Sequence, residues 1–156
     1  MVRSLPIKKI LVVDDNPVIL KVVSSALEPK GYEVFTAVDG PEAFTIVRRE
    51  KPDLILLDIF FPPDISESGN TWDAFVIMHW LQRMSPQARR IPIIVISGAE
   101  PGEFRGRCLA AGAAGYFQKP IKLPELLDAI QQIFRPSVSD VPLELAAISH
   151  SERLRL

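Results

Sequence analysis

The chain has 156 residues, 47% of them hydrophobic, with one cysteine and a formal net charge of −1. That length predicts a single domain whose core needs neither disulfides nor a structural metal. The near-neutral balance excludes a global pull toward nucleic acid or anionic membrane, and the lone Cys108 excludes an intramolecular disulfide. No apolar run approaches the roughly 20 residues of a membrane-spanning helix. At the N-terminus, Met1-Val2-Arg3-Ser4 carries one basic residue, and Lys8-Lys9 and Asp14-Asp15 interrupt any signal-peptide core. A soluble protein of the reducing cytoplasm is expected. Cys108 is expected to be a small core or helix residue and not a catalytic thiol, because nothing beside it in sequence activates it.

Taken in order, Lys9-Ile10-Leu11-Val12-Val13 is an aliphatic run that ends on two carboxylates, Asp14 and Asp15. Asn16-Pro17 supplies a cap and a first-turn proline for a helix over Val18 to Glu28. Tyr32 to Val38 reads as a strand, and Asp39-Gly40-Pro41-Glu42 as a turn into a helix with Ala43, Phe44, Ile46 and Val47 on its apolar face. Leu54-Ile55-Leu56-Leu57 is again aliphatic and ends on Asp58. Four apolar residues between Pro52 and Pro62-Pro63 predict a strand buried on both faces. Trp72 to Met84 has helical spacing, with Trp72 and Trp80 expected in the core or half-buried and His79 on the surface. Ser85 to Arg90 is read as a connector. Ile91 to Ser97 is a buried strand, Glu103 to Ala111 a weaker helix interrupted by Gly106, and Tyr116 to Lys119 the last strand. A final helix opens at Leu123-Pro124-Glu125, presents Leu126, Leu127, Ile130, Ile133 and Phe134, and ends at Pro136.

Five strands alternating with five helices predict an α/β fold, a doubly wound parallel sheet covered on both faces. Residues 1–136 form the expected domain, and 137–156 a C-terminal tail. Parallel alignment carries the strand tips to one edge, where open α/β sheets bind ligands. Asp14, Asp15, Asp58, Ser97 and Lys119 all stand at such tips. Clustered carboxylates need a counter-charge, and all-oxygen donors suit Mg²⁺ or Mn²⁺. One carboxylate is then a nucleophile toward phosphorus. Lys119, the Ser97 hydroxyl and nearby backbone N–H groups such as that of Gly98 are placed to receive phosphoryl oxygens.

In this set and order the chain resembles the receiver domains of two-component response regulators, over about residues 7 to 135. Asp14-Asp15 matches the acidic pair after the first strand, Asp58 the phosphoacceptor after the third, and Ser97 the hydroxyl residue after the fourth. Tyr116 matches the aromatic switch position, and Lys119-Pro120 the Lys-Pro after the fifth strand. The resemblance implies a flavodoxin-like receiver fold with strand order 2-1-3-4-5 and a cis Lys119–Pro120 bond. It implies that Asp58 accepts a phosphoryl group from a sensor histidine kinase or phosphotransfer protein. It also implies metal binding by Asp15, Asp58 and the backbone carbonyl of Phe60, helped by Asp14. Ser97 and Tyr116 would then reshape the face formed by the fourth helix, fifth strand and fifth helix, the expected docking face for a downstream protein. A homodimer is compatible with this reading; nucleic acid and membrane are not expected partners.

Two departures stand out. An insertion spans Pro63 to Trp72 if Asp73-Ala74, preferred here over Ser68-Gly69, takes the place of the family's Asp-Gly; it is either a tolerated loop or a segment that contacts the partner or gates access to Asp58. Phe60, bulky beside the phosphoacceptor, is expected to hinder the attacking water and lengthen the phosphoryl lifetime, whereas the small Gly98 opens the site. A module that accepts a phosphoryl group without turning over a separate substrate is therefore expected. The competing readings are a receiver that binds partners without phosphorylation and an aspartyl-phosphate phosphohydrolase. The latter resembles an Asp-x-Asp arrangement whose second Asp is replaced here by Phe60. A nucleotide-binding domain is disfavoured because no Gly-rich loop follows the first strand.

Overall fold

The computed structural model describes residues 5–58, 74–98 and 102–136. Strand β1 (Lys9–Val13) is followed by α1 (Pro17–Leu27), β2 (Glu33–Ala37), α2 (Gly40–Glu50) and β3 (Leu54–Asp58). After β3 come α3 (Ala74–Met84), the one-turn α4 (Pro86–Arg89), β4 (Ile93–Ser97), α5 (Gly102–Ala110), β5 (Gly115–Gln118) and α6 (Leu123–Phe134). All four strand pairings are parallel and the order is β2-β1-β3-β4-β5. The doubly wound sheet predicted from the strand–helix alternation is present.

Local chemistry explains where the helices start. The Asn16 side chain accepts the Val18 N–H at 2.9 Å, with Pro17 at the first helical position of α1. Asp39 accepts the Glu42 N–H at 2.8 Å while the Glu42 carboxylate accepts the Val38 N–H at 2.9 Å. This reciprocal pair makes Asp39 to Glu42 the cap and first turn of α2 itself, and not a separate turn before it. Lys51 closes α2 in the left-handed region, at φ 50°.

The sheet divides two cores. Alternate strand residues such as Leu11, Val13, Ile55 and Leu57 pack with side chains of α2, α3 and α5. Ile10, Val12, Leu54 and Leu56 pack on the other face with Leu20, Val23, Leu126 and Ile130 of α1 and α6. Every residue of β3 is buried, as expected of a central parallel strand.

Two expectations fail. The stretch Ser85 to Arg90 contains α4 in place of a plain connector, because the Ser85 hydroxyl accepts the Ala88 N–H at 3.0 Å and Pro86 fits the first turn. Trp80 is neither core nor half-buried: it is 53% exposed. The buried stripe of α3 runs through Ile77, Met78 and Leu81, which turns position 80 outward. His79 is exposed, as expected, and Trp72 lies outside the described residues.

Cys108 is fully buried in α5. Burial pushes its thiol up from the ordinary value, and the neighbouring Arg107 charge opposes this only in part. The native protein should therefore resist alkylation by iodoacetamide at neutral pH and react fully once unfolded in guanidinium. Fast labelling of the folded chain would contradict that assignment.

Candidate functional site

The C-terminal ends of β1, β3, β4 and β5 meet at one edge of the sheet. Asp14 follows β1 directly, and its N–H donates to the Ala37 carbonyl at 3.1 Å. One of its carboxylate oxygens, Oδ1, accepts the Asn16 N–H at 2.8 Å. The other, Oδ2, accepts the Lys119 ammonium at 2.9 Å. Lys119 Nζ also stands 3.3 Å from Asp58 Oδ2. Asp14, Asp58 and Ser97 are all buried, at 2%, 4% and 0% exposure. Asp15 is exposed, and its carboxylate has no hydrogen bond or ion pair among the described residues.

Three carboxylates each offer one oxygen, and these oxygens lie within 4.8 Å of one another. Lys119 is the one ammonium that bridges this group among the described residues. Burial alone would lower its pKa. The hydrogen bond to Asp14 and the charges of Asp58 and Asp14 overcome that, and the net direction is upward. Lys119 is therefore an ammonium throughout the neutral range, and the stabilisation it brings is lost only in strong alkali. Three carboxylates against one ammonium still leave excess negative charge. Clustered hard oxygen donors with an unpaired member, Asp15, fit a small divalent cation.

Ser97 ends β4, and its carbonyl accepts the Lys119 N–H at 2.7 Å. The hydroxyl residue and the lysine are thus joined through their backbones. The Lys119–Pro120 bond is cis. Tyr116 lies in β5 opposite Val95, half-buried against the α2–α3–α5 core. Gly98 is exposed, and a Cβ added there would meet nothing within 4 Å. Its small size is not forced by packing, which leaves room beside Ser97. Phe60 and the Pro63–Trp72 insertion lie outside the described residues.

The structure thus gathers Asp14, Asp15, Asp58, Ser97 and Lys119 at one edge. Sequence reasoning gave Asp14 a supporting metal role. It missed that Asp14 is the closer partner of Lys119. It also missed that the Asn16 N–H orients Asp14. The signal was available in Asn16, whose backbone must turn sharply between a strand and a proline-started helix.

Comparison with known proteins agrees with this fold. Residues 10–131 match the response regulator receiver domain family. The polar-differentiation response regulator DivK of Brucella anthropi is 30% identical over 124 residues, covering 80% of this chain and 94% of that protein. The probable transcriptional regulatory protein TcrX of Mycobacterium tuberculosis is 32% identical over 126 residues. The chain spans 49% of TcrX, and 26% of the response regulator PleD of Caulobacter vibrioides, to which it is 32% identical. Among solved structures, the chemotaxis protein CheY4 of Vibrio cholerae superposes with a TM-score of 0.72 at 29% identity, covering 83% of this chain and 100% of that one. Matched over most of its length, and with DivK covered nearly end to end, the chain belongs to the receiver domain family of two-component response regulators.

Proposed function

We propose that Asp58 is the phosphoacceptor of this receiver, supplied by a sensor histidine kinase or a histidine phosphotransfer protein. The observation that carries the reading is the Lys119 ammonium held between Asp14 and Asp58, at 2.9 and 3.3 Å, beside the unpaired Asp15. Receivers of this family are phosphoacceptor signalling modules, and the reaction is a transfer onto the protein. An Asp58 carboxylate oxygen attacks the phosphorus of phosphohistidine. The P–O bond forms as the P–N bond breaks, and the imidazole nitrogen leaves with the bonding pair.

Asp14, Asp15 and Asp58, with the Phe60 backbone carbonyl, would hold Mg²⁺ or Mn²⁺. When bound, the ion offsets negative charge on the carboxylates and on the arriving phosphoryl oxygens. Lys119 moves from Asp58 to a phosphoryl oxygen, and the Ser97 hydroxyl and Gly98 N–H donate to another. Drawing Ser97 toward the phosphoryl group frees space that Tyr116 can enter. The output is then a changed face of α5, β5 and α6 that binds a downstream protein, with a homodimer as one form of that contact. Residues 1–136 make up the module, 137–156 a tail, and the cytoplasm is the proposed compartment. Phe60, bulky and two residues after Asp58 in the sequence, is expected to hinder the attacking water and lengthen the phosphoryl lifetime, an effect that the small Gly98 opposes.

The test is incubation with Mg²⁺ and acetyl phosphate, followed by intact mass and fragmentation. One phosphoryl group, located on the peptide holding Asp58, is the expected product. A modification elsewhere, or steady consumption of many donor molecules per chain without a captured adduct, would favour the phosphohydrolase.

The cation makes a separate prediction. A ligand that binds only the folded state at about a hundred times its Kd adds about 2.7 kcal/mol. Mg²⁺ at that excess over its Kd should therefore raise Tm by several degrees, and Asp15→Asn should remove most of that rise. Equal shifts in both proteins would place the ion elsewhere.

A further inference from the structure

The sheet edge opposite the acidic site carries a cavity of about 720 Å³ between α2, the α3–α4 corner and the start of β4. Its wall is apolar: Phe44, Met84 and the outward-facing Trp80, whose ring centroid is 6.3 Å from that of Phe44. Its rim is basic, formed by Arg48, Lys51 and Arg90. None of these three makes an ion pair among the described residues. Asp53, also at the rim, is committed to the Lys9 N–H at 2.8 Å. An exposed tryptophan beside unpaired arginines is the composition of a binding site and not of an ordinary surface. The occupant must bring apolar side chains and carboxylates.

The chain itself contains such a segment. Asp140-Val141-Pro142-Leu143-Glu144-Leu145-Ala146-Ala147-Ile148 has two acids, no base and a run of apolar residues. It follows α6, and α6 ends at this same edge. The Phe134 ring lies 5.7 Å from the ring of Tyr32, and the Lys8 ammonium 5.6 Å from the Phe134 ring. The next residue, Lys9, holds Asp53 of the cavity rim. Ser137 to Asp140 form a tether of about 13 Å when fully extended. A short flexible tether also places the segment at about millimolar effective concentration. We propose that the cavity is the docking site of the chain's own segment Asp140–Ile148, with the carboxylates at the arginine rim and the leucines against Trp80 and Phe44.

A nitroxide on Ala147→Cys in the 156-residue chain tests this, since the buried Cys108 stays unlabelled. Loss of the Trp80 indole N–H signal and of the Lys51 and Arg90 amide signals is expected. Arg48→Glu with Arg90→Glu should restore those signals, and adding Asp140→Lys with Glu144→Lys should remove them again. Full signal intensity in the labelled parent chain, or insensitivity to the charge reversals, would overturn the proposal. So would broadening that appears when the label sits on one copy and the observed nuclei on another, which would make a second copy the occupant. Phosphoacceptance plays no part in the readout, so the outcome is independent of the role given to Asp58.

Discussion

Asp58→Asn is expected to accept no phosphoryl group from acetyl phosphate above background, while keeping the fold and its Tm. The side chain retains its size and its place at the end of β3, 4% exposed in the parent protein. It loses the carboxylate, and an amide nitrogen or oxygen is a poor nucleophile toward phosphorus. Stability should hold because the change removes one of three crowded negative charges and leaves Lys119 its 2.9 Å contact with Asp14. Intact mass and a thermal melt together check both halves. Persistent single phosphorylation in Asp58→Asn would move the acceptor to Asp14 or Asp15.

Leu56→Ala should cost about 2–5 kcal/mol, the range for truncating a buried leucine whose surroundings cannot collapse. Leu56 is fully buried at the centre of β3, paired with Val12 on one side and Ile94 on the other. It packs in the core shared with Leu126 and Ile130 of α6 and Val23 of α1. Typical domains hold only about 5–15 kcal/mol in all, so this change removes a large share. A urea midpoint that falls with an unchanged slope would show it. Val38→Ala, at a residue 47% exposed, is the control and should stay within about 0.5 kcal/mol.

The strands and the acidic edge were legible because their signal is local. An aliphatic run that stops on Asp14, Asp58 or Ser97 states both its burial and where its tip lies. Alternation with helices then brings those tips together without knowledge of any side-chain contact. Trp80 was misread for the complementary reason. Helical spacing gives a stripe but not its phase, and both a stripe through position 80 and one through Ile77, Met78 and Leu81 satisfy the period. The neighbouring sheet selects the second. The partner of Lys119 was equally hidden, since three carboxylates were available and the choice depends on backbone geometry at Asn16. The helix α4 was missed because its single turn is set by one serine cap and one proline, too short for any periodicity.

The ion pair between Lys119 and Asp14 joins residues 105 positions apart. Contacts of that separation are slow to form, because loop closure precedes any reward. β5 is also an edge strand with no fully buried residue. The site is therefore complete only when the last strand has docked and the whole sheet has closed. A chain still emerging from the ribosome, or one with β5 detached, has its carboxylates but not its lysine. Competence to receive a signal is thus tied to completion of folding, and the rate at which a refolding chain gains phosphoacceptance should track the docking of β5.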